Sequence, residues 1–472
     1  MSTYDELTGT AARIADAAIE WDMADRGWHK SDEGWISDMS VAPVSTYVLS
    51  HDGLRVQIVG EDGWLKSDEF AGTAETDFRA VWADWYERIF DLFLEWKGLP
   101  HPLDFEAPLG KIRNAISVIN VSTHVSTTGA SADPSLETSN DDLDGALTSF
   151  CGEILPMQGV MDSFSLAYSN KLPGVVRGQL AILGILGMNL AGEQNLFRAL
   201  RQDLPVIADD VLEVMRERKS SSSAADLKII GAVLAGASLF ITGGTSSLII
   251  ANGRTIVAAL SGMTPADEAP SPAQKQYGAD TAMGVYENVR TYLDELKTTV
   301  RGEESSVRTS LTSALSEVTG QNADAFLLRK PGLLDASTQG LEVNAETLSF
   351  LGGVIAPFIC DNLAVARAEA AGAEIQAPWE RPDTIGLGAH GPYRQWKALL
   401  DEFVEVSTVT RTELADVGDV LIEIAQEYVD TESIIQQRLR ELEGLDALDV
   451  PDFTPPPPPS TAYARVTVDQ PV

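Results

Sequence analysis

The stretch "DTAMGVYENVRTYLDELKTTVRGEESSVRTSLTSALSEVTG", residues 280–320, decides the fold class. Val289, Leu293, Leu296, Val300, Val307, Leu311, Leu315 and Val318 fall almost on a heptad grid, with one skipped position near Glu303. Apolar residues alternately three and four apart gather on one side of an α-helix. The stretch therefore predicts a long amphipathic helix that lays its seam on a neighbour.

Working outward, the same period recurs along most of the chain. On the C-terminal side, Asn344 to Ala371 reads as a more apolar helix that Pro357 should kink. Ala377 to Pro392 is a Pro/Gly-rich connector, and Pro392 opens a last helical block to about Gly444. Five consecutive prolines at 455–459 mark a tail expected to be extended or disordered. On the N-terminal side, helices are expected from about Ser2 to Trp28, Asp77 to Lys97, Leu143 to Lys171 and Pro173 to Lys219. Gly110 to Val125 adds a shorter apolar segment. The helix from Asp77 carries Phe78, Val81, Trp82, Trp85, Ile89, Leu92 and Trp96 on one stripe. A wide aromatic stripe packs into a core more often than it forms a binding platform. One segment departs from the helical period. In "YVLSHDGLRVQIVGEDGWL", Tyr47 to Leu65, the alternation of Leu54, Val56 and Ile58 and the turns Asp52-Gly53 and Asp62-Gly63 predict a small β-hairpin.

The expected fold class is thus mainly α: an elongated bundle of long antiparallel helices with one small β-hairpin near residues 47–65 and a disordered Pro-rich C-terminal tail. The composition shifts predict an aromatic-rich helical region with the hairpin over 1–140 and a central helical bundle over 141–376. A C-terminal helix or helical hairpin over 391–444 and the tail over 445–472 complete the chain.

Charge narrows the partners. Asp and Glu total 70 against 34 Lys and Arg, a formal net charge of -36. Such a chain is repelled as a whole by nucleic acid and by anionic lipid, although solubility or life in high salt explains the acidity equally well. Cys151 and Cys360 lie far apart with no Cys-x-x-Cys partner and read as two buried thiols, with a single disulfide between them the alternative for an exported chain. His29, His51, His101, His124 and His390 show no helical metal-ligand spacing, and no phosphate-loop, dinucleotide or hydrolase motif occurs. The chain is accordingly read as non-enzymatic, with no cofactor and no metal.

A further stretch, Ile229 to Ala251, has no charged residue but is interrupted by Thr242-Gly243-Gly244-Thr245. It reads as an apolar helical hairpin over 226–262, each arm too short to span a bilayer alone. Ile229, Leu239, Gly243, Gly244 and Ile249 would make it a candidate membrane hairpin; the plainer alternative is a buried core hairpin.

In the last helical block, Leu414, Val417, Leu421, Ile424 and Tyr428 are spaced 3, 4, 3, 4. Gly418 inside this seam costs about 1 kcal/mol of helix propensity relative to Ala, which suggests close approach of another backbone or a bend. Tyr428 and Glu432 are four apart and share a helix face. The stretch "LADVGDVLIEIAQEYVDTESIIQQRL", residues 414–439, resembles the C-terminal helix of small helical type VII (ESX) secretion substrates of actinobacteria. The matching positions are Gly418, Leu421, Ala425, Tyr428 and Glu432. The resemblance implies that the Tyr428/Glu432 pair is a secretion signal. It also implies export in a folded state, usually beside a helical partner, driven by an FtsK/SpoIIIE-like membrane ATPase. The family's helical hairpin often turns at Trp-x-Gly, whereas Trp396 here is followed by Lys397 and Ala398. The start Met1-Ser2-Thr3-Tyr4-Asp5-Glu6 lacks the basic and apolar pattern of a Sec signal, so a non-Sec route is expected. The protein would then be cytoplasmic before export and secreted or surface-bound after it. Three functions follow: an exported helical interaction or self-associating protein, an exported membrane-inserting effector using 229–251, or an intracellular acidic scaffold.

Overall fold

The computed structural model describes residues 2–32, 34–37, 45–50, 55–60, 65–70, 78–121, 140–154, 171–218, 278–328 and 344–443, and it is mainly α-helical. A single 3-10 turn at Tyr4–Glu6 leads into α1 (Leu7–Asp25). Five strands follow: β1 (Trp28–Ser31), β2 (Gly34–Ser37), β3 (Ser45–Leu49), β4 (Arg55–Gly60) and β5 (Leu65–Phe70). The helices continue as α2 (Phe78–Leu94), α3 (Glu106–Ile119), α4 (Asp141–Ile154), α5 (Leu172–Glu217) and α6 (Ala282–Thr319). Then come α7 (Ala345–Phe350), a π-turn at Leu351–Ile355, α8 (Ala356–Ala371) and α9 (Tyr393–Glu443).

The strands form one antiparallel meander in the order β1-β2-β3-β4-β5. The hairpin expected at 47–65 is its middle, with Tyr47 opposite Ile58 and Leu49 opposite Val56. Trp28 to Ser37, which reads from sequence partly as the end of a helix and partly as irregular chain, instead forms the hairpin β1–β2. Gly27, at φ 78°, ends α1 just before it. The predicted turns at Asp52-Gly53 and Asp62-Gly63, the apolar hairpin 226–262 and the tail 445–472 lie outside the described residues.

The expected periodicities meet in one core. Leu7, Ala11, Ile14, Ala18 and Trp21 of α1 are all buried, and α1 packs on α2 and α5. The tryptophan stripe of α2 faces inward: Trp85 and Trp96 are buried, and Trp82 meets the buried Trp35 of β2 edge-on at 5.9 Å. Packing accounts for this stripe, since burying one large apolar side chain contributes about 1.5–3 kcal/mol. Helix α5, 46 residues long, is the central column and contacts α1, α3, α6 and α9. A helix enclosed from several sides must be apolar nearly all round, as α5 is from Val175 to Leu190.

Helices α8 and α9 run antiparallel: Gly352 meets Gly418, Cys360 Sγ donates to the Arg411 carbonyl at 3.4 Å, and the Ser407 hydroxyl donates to the Leu363 carbonyl at 3.4 Å. Where a kink is expected at Pro357, the chain stays helical from Ala345 to Ala371 and passes through the π-turn, which ends two residues before the proline. At the crossing, a Cβ on Gly418 would stand 3.0 Å from the Gly352 carbonyl oxygen, and one on Gly352 would overlap the Gly418 carbonyl. The glycine in the seam therefore marks close backbone approach. Gly352→Ala is expected to lower the unfolding free energy by about 1–3 kcal/mol through overpacking, read from a urea melt. Gly353→Ala, whose Cβ would meet only Ile422 Cδ1 at 3.9 Å, is the matched control.

Candidate functional site

The question of one helix or a hairpin after Pro392 is resolved: α9 is a single helix of 51 residues, about 76 Å long. Its first half is bound into the bundle. Trp396, Leu399, Leu400, Phe403 and Val406 are buried, and the Trp396 indole donates to the Leu186 carbonyl at 3.0 Å. Midway, the buried Thr410 hydroxyl accepts from Gln179 Nε2 at 2.9 Å and from the Leu328 amide at 3.3 Å. This polar node sets the register of α9 against α5, since a slip would strand buried donors.

The seam named from sequence divides in two. Leu414, Val417, Leu421 and Ala425 are buried, Ile424 is partly buried, and Gly418 is the crossing point. From Gln426 to Ile435 every residue is exposed. Tyr428, Val429, Ile434 and Ile435 are 41%, 46%, 55% and 51% exposed, unusual for apolar side chains on consecutive turns. Tyr428 and Glu432 thus stand on a helix end that no described residue covers. Its neighbour stops short: with Gly352 facing Gly418 in an antiparallel pair, Ala345 at the start of α7 comes level with Ala425. Thr431 donates its hydroxyl to the Glu427 carbonyl at 2.8 Å, a contact within the helix itself.

Beside the crossing, α8 and α9 enclose a groove of about 430 Å³ lined by Ala356, Cys360, Asp361, Arg411, Ala415 and Asp416 among others. Burial pushes the Cys360 thiol up to about 11, and burial alone does the same to Cys151. Neither cysteine forms a disulfide, and such thiols stay protonated at neutral pH and are poor nucleophiles.

A second constellation lies at the far end of the α8/α9 pair, under the connector 372–392. Arg381 Nη1 donates to Glu193 Oε2 at 3.1 Å and lies 2.8 Å from Glu304 Oε1, and all three side chains are 0% exposed. The Leu387 amide donates to Glu304 Oε2 at 2.5 Å, and the Arg381 guanidinium lies 4.8 Å from the centre of the Phe197 ring. Arg301 Nε, one turn back on α6, donates to the Gly386 carbonyl at 3.1 Å. The connector has glycine where it presses on these groups. A Cβ on Gly386 (φ 65°) would overlap the Glu304 carboxylate, and one on Gly391 (φ 48°) would overlap the Arg381 guanidinium. Burial raises the pKa of both carboxyl groups, opposed by Arg381. Glu193 adds to the effect on Glu304, which is pushed up to about 8.

Sequence reasoning missed this cluster. Glu304 was visible as the break in the α6 heptad, because the seam slot between Val300 and Val307 holds a carboxylate instead of an apolar residue. Glu193 and Arg381 carry no local signal. Gly352 likewise went unpaired with Gly418. No group of three or more His, Cys, Asp or Glu that could hold a metal ion occurs among the described residues. Ile229, Leu239, Gly243, Gly244 and Ile249 lie outside them. Two described stretches, Leu172–Glu217 and Ala345–Ala371, are long and apolar enough to cross a membrane by length and composition. Their most apolar windows are 83% and 44% buried inside the protein, so the first is a core helix. The chain matches no protein-family model, no curated protein and no solved structure.

Proposed function

We propose that this protein is a type VII (ESX)-exported helical protein that acts through protein–protein interaction or self-association and not through catalysis. In this reading, Tyr428 and Glu432 are the secretion signal. The exposure of the α9 end from Gln426 to Ile435 carries the reading, since a signal must reach its receptor while the rest of the chain stays folded. The receptor would be an FtsK/SpoIIIE-like secretion ATPase. The apolar side chains left bare beside the pair suit a helical partner, which would bury them as Leu414 to Ala425 are buried in the bundle.

Exposed side chains carry little folding energy, so signal and stability separate. Tyr428→Ala and Glu432→Ala are each expected to stay within about 0.5 kcal/mol of the parent stability. Both are expected to leave the protein in the cell pellet of a host with an active type VII system, while the parent chain reaches the culture supernatant only when the ATPase is present. Normal export of Tyr428→Ala would end the signal reading, and a parent chain found only in the cytosol of that host would favour an intracellular scaffold.

A further inference from the structure

The Glu193–Arg381–Glu304 cluster holds two carboxylates against one guanidinium, in a place where none of the three side chains reaches water. With both acids ionised, the cluster carries one uncompensated negative charge in a low-dielectric interior, which is strongly unfavourable. Glu193 Oε1, Arg381 Nε and Arg381 Nη2 have no hydrogen-bond partner among the described residues, so polar neighbours do not absorb the excess. The charged groups facing it are Glu193 from α5, Glu304 and Arg301 from α6 and Arg381 from the connector. The Arg301 Nε–H is spent on the Gly386 carbonyl. The Phe197 ring lies against Arg381, and elsewhere on the connector Trp379 packs on Phe105, Tyr393 and Trp396.

We propose that this cluster is a proton-dependent clasp: one proton shared by Glu193 and Glu304 holds the connector 372–392 closed on the bundle, and loss of that proton opens it. The sign follows from linkage. In the closed state Glu304 titrates at about 8, raised by burial and by Glu193, whereas in the open, hydrated state it returns to its ordinary 4.5. The closed state therefore binds the extra proton between those values. Closure is fully favoured below the lower value and is lost as pH rises through the upper one. Because the connector joins α8 to α9, opening frees the bases of both helices that meet at the Gly352–Gly418 crossing. The proposal stands apart from the export reading.

Hydrogen exchange of the full-length chain, followed by mass spectrometry on peptides spanning 380–392, tests it. Exchange is expressed relative to the intrinsic rate at each pH. Protection in the parent chain is expected to fall by up to about tenfold per pH unit between roughly pH 5.5 and 7.5. Glu193→Gln and Glu304→Gln each leave one carboxylate against one guanidinium. Each variant is expected to show protection flat within about threefold over that range and higher than the parent at roughly pH 8.5. Protection in the parent that does not change with pH overturns the clasp, and so does a parent-like slope in either variant. If one variant does not fold, the parent curve and the other variant still decide.

Discussion

Replacing Arg381 by methionine is expected to lower the unfolding free energy by about 3–5 kcal/mol near neutral pH. Methionine keeps most of the stem that packs on Phe197 but removes the cation between Glu193 and Glu304. Two buried carboxyl groups then remain with the Leu387 amide as the donor identified on Glu304. They can stay buried only by taking up protons, so the loss should shrink toward acidic pH, where both are neutral. Urea denaturation followed by far-UV circular dichroism at two pH values measures both effects. A loss below about 1 kcal/mol at neutral pH would mean that water already reaches the cluster. Glu193→Gln should behave in the opposite way above neutrality, since it relieves the charge excess and leaves Arg381 paired.

Trp396→Ala is the second large expected effect, about 3–5 kcal/mol in the same assay. The indole is fully buried, with its ring centre 5.7 Å from Trp379 and 6.4 Å from Tyr393. Its removal leaves a cavity between α9, α5 and the connector, and it takes the indole N–H away from the Leu186 carbonyl. Trp396→Phe should recover most of the packing and lose about 1 kcal/mol for the hydrogen bond alone. Equal losses in the two variants would place the energy in the hydrogen bond and its desolvation, not in volume.

These two residues show how far a one-dimensional reading reaches. Trp396, Leu399, Phe403 and Val406 repeat at helical spacing, and the burial of Trp396 is in keeping with that local period. Arg381 lies in a connector whose prolines and glycines announce a loop and nothing about charge. The same contrast holds in α6. Val289 to Val318 declare the seam, but the carboxylate at Glu304 registers only as a fault in the pattern until Arg381 and Glu193 are brought to it from 77 residues downstream and 111 upstream in the chain. The strands β1 and β2 were hidden for a different reason. They are four residues each, too short for alternation to stand out, and strand propensity depends on the neighbours that pairing supplies.

The periodicity of apolar residues was enough to establish a mainly α chain and the inward face of α1, α2, α6 and of α9 from Leu414 to Leu421. Each of those depends on residues within a few turns of one another, and helix geometry is local. Tertiary structure decided the rest. The apolar seam from Leu414 runs on through Tyr428 to Ile435 without any change of pattern, yet it is buried as far as Ala425 and exposed beyond. The helix packed against it begins at Ala345, level with that boundary, and the length of a neighbour is written nowhere in the helix it covers. Burial is a property of pairs of elements, so whether Tyr428 and Glu432 are buried or exposed could be decided only by the fold that surrounds them.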